Sequence, residues 1–174
     1  MREAVLEHDT AWISVAAARR ALAALATALR DDAIATRGEW MTHPETLAGY
    51  VRMLRVASKP VDAYHHLCAH ASETTRVGTY LAEELGPTSL RITYTKKPDN
   101  DTDQRDRMLC LARRAELAAV PRIWGLQEAS VVDVECLAKG DKRCVYEVAW
   151  RQPSYRHGMP VGAALGGMGC RALR

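Results

Sequence analysis

Three cysteines and one acid in this chain are spaced as though to meet. Cys136 and Cys144 bracket the segment LAKGDKR, with Gly140-Asp141 at its turn. Strands that flank such a turn form a hairpin, and its closed end brings both sulfurs to one place. Asp133 stands three residues before Cys136, on the strand entering the hairpin, and Cys110 lies on a preceding helical run that must pack on the same sheet. Three thiolates and a carboxylate are a complete tetrahedral set for Zn²⁺, and soft thiolates favour zinc over magnesium or calcium. Iron–sulfur centres normally take four sulfurs, and Cys68 is too distant in sequence to be assigned as the fourth. Four protein ligands leave no open position, so the expected role is structural and not catalytic. Such a centre is net negative, and Lys139, Lys142, Arg143 and Arg113 are placed to offset it. The competing reading is three buried free thiols beside a solvated Asp133. Cysteine is among the most buried residue types, and the hairpin lacks a CxxC.

The elements that must position these groups follow from periodicity. Ser14 caps an Ala-rich run in which Leu22, Leu25 and Leu29 share a face, predicting a helix near 15–30. Thr42 and Glu45 form a capping box before a second run carrying Leu47, Tyr50, Val51 and Leu54. Ser58 and Pro60 open a third helix, with Val61, Tyr64 and Cys68 aligned on it. TYLAEELG and SLRITYT alternate with period two around Gly86-Pro87, a hairpin signal. A fourth helix, RDRMLCLARRAELAAV, ends at Pro121. Two last strands follow, SVVDVEC and CVYEVAW, with Cys144, Tyr146, Val148 and Trp150 facing one way. The expected fold is α+β: an antiparallel four-stranded sheet covered on one face by about four helices.

The chain has 174 residues, 48% of them hydrophobic and 26% charged, which suits one domain with a genuine core. There is no Phe, so aliphatic residues must fill that core. The net charge is only +3 and the basic residues are scattered, which argues against nucleic acid. Arg105, Arg107, Arg113 and Arg114 read as a solvated helix face. The N-terminus lacks the apolar run of a signal peptide, so a cytoplasmic location is expected, where thiols stay reduced. The Gly-rich segment Gly158 to Leu173 is too short to span a bilayer as it stands. Residues 1–12 read as a leader, 13–150 as the domain and 151–174 as a tail or linker that can begin something longer.

The stretch Asp133-x-x-Cys136-x7-Cys144, with Cys110 upstream on a helix, resembles the 4-vinyl-reductase-type ligand-binding domain. That domain serves as the sensory input of aromatic-responsive bacterial transcription activators. It shares the NO-signalling/Golgi-transport fold with a transport-tethering subunit. The run PRIWGL before VECLAKGDKRCVYEVAW is similar to sensory regions of some bacterial histidine kinases and diguanylate cyclases. The resemblance covers roughly 14–150 in layout and is motif-specific across 105–150; Asp133 stands where the phenol sensors carry Glu. It implies a structural zinc on Cys110, Asp133, Cys136 and Cys144, a small-ligand pocket and frequent homodimerisation. The family's ligand-binding His and Trp have no tight match here.

For the pocket the candidates are Tyr50, Met53, Tyr64, His65 and Trp124, since ligand cavities are mostly apolar with few polar anchors. Each is equally explained by core packing or, for His65, by a local hydrogen bond. His43, or His70 with Glu73, could belong to a second metal, but no spacing ties them together. No nucleophile elbow, phosphate loop, HExxH or dinucleotide fingerprint is present, so no catalytic residue is assigned. The expectation is therefore a non-enzymatic sensory domain that binds a small, mostly apolar ligand and signals to an output module after residue 150. The alternative is a dimerising interaction module of the same fold, its pocket filled by side chains.

Overall fold

The computed structural model describes residues 12–29, 34–35, 37–43, 54–98 and 107–152. Helix α1 spans Val15–Leu29, and Ser14 caps it as expected, its Oγ accepting the Ala17 N–H at 3.1 Å. Of the three leucines on one face only Leu22 is buried; Leu25 and Leu29 are 46% and 59% exposed.

A short helix α2 covers Arg37–Thr42. Thr42 ends this helix, and its hydroxyl donates back to the carbonyls of Gly38 and Glu39. The other half of the expected capping box, Glu45, lies outside the described residues. The run with Leu47, Tyr50 and Val51 lies outside the described residues; Leu54 at its end is fully buried.

Helix α3 is Pro60–Ala69. Proline fits the first turn because its missing N–H would find no helical partner there. Ser58 does not cap the backbone but donates to Asp62 Oδ2 at 2.8 Å. A single turn, α4, follows over Ala71–Thr74. The first hairpin is β1 (Gly78–Gly86) with β2 (Ser89–Lys96). Helix α5 is Arg107–Ala119, and a 3₁₀ turn with Pro121 in its first positions closes it at Gly125. Strands β3 (Ser130–Glu135) and β4 (Cys144–Ala149) complete one antiparallel sheet of order β1-β2-β4-β3. This is the α+β architecture expected from the sequence.

One sheet face carries Leu90, Ile92, Tyr94, Cys144, Tyr146 and Val148, each at most 1% exposed. Their alternation with outward residues such as Arg91 and Glu147, paired at 2.8 Å, is the period-two signature of a half-covered sheet. Tyr64 of α3 closes this core: its ring lies 5.5 Å from that of Trp150, and its hydroxyl donates to the Leu117 carbonyl at 2.7 Å. Helix α5 runs between this core and α1. Its contact with α2 is close: a methyl group on Gly38 would sit 2.6 Å from the Ala115 carbonyl oxygen.

Candidate metal centre and ligand cavity

The closed end of the β3–β4 hairpin is built to hold sulfur. The register of β3 against β4 shifts between Asp133 and Glu135, an irregularity that re-aims the residues after it. Cys136 follows, then a 3₁₀ turn over Leu137–Lys139 that ends on Gly140 at φ 98°, a left-handed conformation suited to glycine. The Cys136 carbonyl accepts the N–H groups of Lys139 (2.9 Å) and Asp141 (3.2 Å), and Asp141 Oδ2 accepts the Cys136 N–H at 2.7 Å. These bonds fold the loop back on itself and turn free backbone N–H groups toward the sulfurs. Leu137 donates to Cys144 Sγ at 3.5 Å, and Ala138 donates to Cys110.

Cys110, from α5, completes the group. Its sulfur lies 3.9 Å from that of Cys144, and the sulfurs of Cys110, Cys136 and Cys144 all fall within 4.8 Å of one another, all buried. The thiol of Cys110 bonds to Cys144, and together with the Leu137 N–H and the cationic Arg113 it outweighs burial and lowers the Cys144 pKa well below the thiol range. Cys110, hydrogen-bonded to Cys144 and also desolvated, is pushed up. The two thiols form one buried hydrogen-bonded pair whose protons a bound cation would displace.

Asp133 is the cross-strand partner of Tyr146, which puts it on the same sheet face as Cys144. Its carboxylate stands outside the three-sulfur group, 22% exposed, with Oδ2 3.9 Å from Arg114 Nη1. Of the four cations expected to offset the centre, Arg113 acts on Cys144, whereas Arg143 is turned away into a two-pronged bond with Glu135 (2.8 and 2.9 Å). Lys139 and Lys142 are exposed.

On its other side α5 borders a cavity of about 790 Å³. Ala18, Leu22 and Leu25 of α1 form one wall, Leu67 and Cys68 of α3 another, and Leu109 and Ala112 of α5 the third. Ser14, Thr75, Arg76, Tyr80, Arg113 and Glu116 bring polar side chains to it. The Arg113 guanidinium stacks 3.9 Å over Tyr94 and hydrogen-bonds Tyr80; that of Arg76 lies 4.2 Å over Trp12. Burial pushes the Cys68 thiol up to about 12, so it is neutral.

The residues expected in the pocket fall elsewhere. Tyr64 is fully buried in the sheet core. His65 is 42% exposed and meets Glu84 at 3.0 Å. Trp124 packs against the core from the 3₁₀ turn. Tyr50 and Met53 lie outside the described residues. His70 meets Glu73 at 2.8 Å, and among the described residues no third ligand joins them. Arg113 was missed as a cavity residue because it reads as part of a solvated basic face. The usable signal is its spacing: Leu109, Ala112, Arg113, Glu116 and Leu117 recur at three and four residues, one helical stripe. Arg114, one position on, is turned to solvent with a side chain 50% exposed.

The sequence matches no described protein family and no curated protein. The fold has solved counterparts. An H-NOX protein from S. oneidensis in its Fe(II)NO state aligns with a TM-score of 0.59 at 12% identity, over 83% of this chain and 80% of that one. An oxygen-binding H-NOX domain related to soluble guanylate cyclases gives 0.57 at 13% identity, over 85% and 78%. An unliganded H-NOX protein from K. algicida gives 0.53 at 13%, over 77% and 71%. The chain therefore shares its fold with these H-NOX domains.

A further solved relative of this fold is described by its haem. A haem iron needs an axial donor such as an imidazole or a thiolate. Among the described residues that line the cavity there is no histidine, and the one sulfur, Cys68, is held protonated by burial. This donor set does not fit a haem.

Proposed function

We propose that the chain is a non-catalytic sensory domain whose cavity between α1 and α5 takes a small, mostly apolar ligand, and whose hairpin is clamped to α5 by a structural zinc ion. On this reading it is a domain of the 4-vinyl-reductase type spanning 13–150. It acts as a cytoplasmic homodimer in a bacterial signalling or transcription-regulatory protein and passes its signal to a module after residue 150. The cavity carries the proposal. Its volume lies within the range of small-molecule sites, its walls are aliphatic, and its polar groups gather at few points.

Cys110, Cys136 and Cys144 are the residues that would hold zinc, with Asp133 as the fourth donor once its carboxylate leaves Arg114 and turns toward the sulfurs. The ion's contribution there is charge and cross-linking: it ties the hairpin to α5, so that its binding energy becomes folding energy. What the chain's own residues contribute is the oriented N–H groups of Leu137 and Ala138 and the neighbouring charge of Arg113.

Thermal unfolding across a panel of apolar small molecules tests the ligand half. A binder raises stability as RT ln(1 + [L]/Kd), and the gain should vanish in Ala112→Trp, which fills the cavity. A stabilising compound whose effect survives Ala112→Trp, or a panel with no stabilising compound, contradicts the proposal.

A further inference from the structure

Helix α3 carries a pair of nitrogen donors at its C-terminal end. His66 and His70 stand four residues apart, and the His70 N–H, donating to the His66 carbonyl at 2.9 Å, keeps the helical register through the last turn. Side chains at that spacing are neighbours on one face. The two imidazole rings meet, with centroids 4.2 Å apart and planes tilted by 34°. His70 is also oriented from beyond the helix: its Nδ1 lies 2.8 Å from Glu73 Oε1 of α4. An ionised carboxylate only accepts, so Nδ1 carries the proton of that bond and the lone pair of a neutral ring falls on Nε2. A carboxylate behind an imidazole is the usual outer partner of a metal-bound histidine, where it fixes the tautomer and raises the basicity of the ring. His65, one position back, is turned about 100° round the helix and meets Glu84 of β1 instead, at 3.0 Å.

We propose that His66 and His70 chelate one late transition-metal ion of the nickel(II) or copper(II) kind, with Glu73 as the group that orients His70. The site is separate from the cavity and from the sulfur cluster and depends on neither. Imidazole nitrogen suits these ions, and copper(II) and nickel(II) accept tetragonal shells of nitrogen and oxygen. Among the described residues the sulfurs form the one group of three donors, so water completes the shell at the histidines. Position adds to the chemistry. The pair spans the last turn of α3, where carbonyls without helical partners make a negative end that favours a cation. The His70 side chain is 45% exposed, so an ion reaches the pair without opening the core.

Nickel chloride titrated calorimetrically into the full chain tests this; nickel is the probe because copper(II) would also oxidise the thiols. The expected result is a binding event weakened at least tenfold in His66→Ala and in His70→Ala and unchanged in His65→Ala. Nickel held by the cysteines or by other histidines appears equally in all four proteins and cancels in the comparison. Glu73→Ala should weaken the same event several-fold. Thermal unfolding without metal checks that each variant is folded, and should His66→Ala fail, His70→Ala decides, because its side chain is the exposed one. No nickel binding, binding that is the same in wild type and in His70→Ala, or a loss that is equal in His65→Ala overturns the site. An affinity untouched in Glu73→Ala overturns the orienting role of that carboxylate.

Discussion

Helix α5 has two sides, and they are built differently. Toward the sheet it presents Cys110 and Leu117 to a continuous core in which Leu54, Tyr64, Leu90, Ile92, Cys144 and Tyr146 are all fully buried. Toward α1, among the described residues, it meets a satellite cluster of Leu22, Ile34 and Ala112 with partly buried neighbours such as Ala26 and Leu109, and beside that cluster the packing opens into the cavity. Close packing makes the first side a fixed frame, since dense interiors resist displacement. The second side has few buried apolar contacts, the condition under which a segment opens or shifts at low cost. A sensor needs both: a rigid reference, and a wall whose position depends on what it covers. On the proposed sensory reading one helix would carry both, and movement at α1 would be registered against the sulfur-anchored hairpin.

The largest expected effect is on the anchored side. Cys136→Ser, or removal of metal by a strong chelator, should lower the unfolding free energy by more than about 3 kcal/mol, because a structural ion's binding energy is folding energy. Chemical denaturation measures it; an unchanged midpoint in both experiments would mean the sulfurs stabilise nothing as a group.

Side-chain truncation sharpens the contrast. Ile92→Ala, from a fully buried site in the sheet core, should cost about 2–5 kcal/mol through lost transfer energy and a residual cavity. Leu25→Ala, which lines the open cavity and is 46% exposed, should cost less than about 1 kcal/mol. Comparable losses at the two positions would remove the distinction between the faces.

The smallest effect is kinetic. Thiol alkylation follows the thiolate, and burial takes the Cys68 pKa from 9.0 to about 12. At pH 8 its reaction with iodoacetamide, followed by peptide mass, should be roughly a thousandfold slower than in the denatured chain. The rate should rise with pH toward 12. The sign for stability is the same: a raised pKa contributes fully below the ordinary thiol value and is lost only as pH climbs through the folded one. A rate near that of the denatured chain at pH 8 would mean that the α1 wall does not cover Cys68.

The anchored face was the more legible in the sequence, for a physical reason. Strand alternation at Cys144, Tyr146, Val148 and Trp150 and the turn at Gly140-Asp141 are short-range signals. Once a hairpin is inferred, the approach of Cys136 to Cys144 follows from its geometry. That Cys110 joins them needed only one further step, a helix packing on the sheet. The cavity depends instead on how far α1 stands from α5, a tertiary distance with no local signature. Tyr64 and Trp124 were equally good pocket candidates by composition, yet they fill the sheet core, because an aromatic ring serves packing and ligand contact alike. Arg113 misled in the opposite way, its type suggesting solvent while its helical phase placed it beside Leu109 and Leu117.

The central claim is that the sulfurs of Cys110, Cys136 and Cys144 close around one ion. X-ray absorption at the zinc edge, on protein purified without added metal, reads that shell directly. The account predicts about one zinc per chain with three sulfurs near 2.3 Å and one oxygen near 2.0–2.2 Å, the oxygen lost in Asp133→Ala. A chain that carries no zinc, or zinc in a shell of nitrogen and oxygen without sulfur, would contradict it.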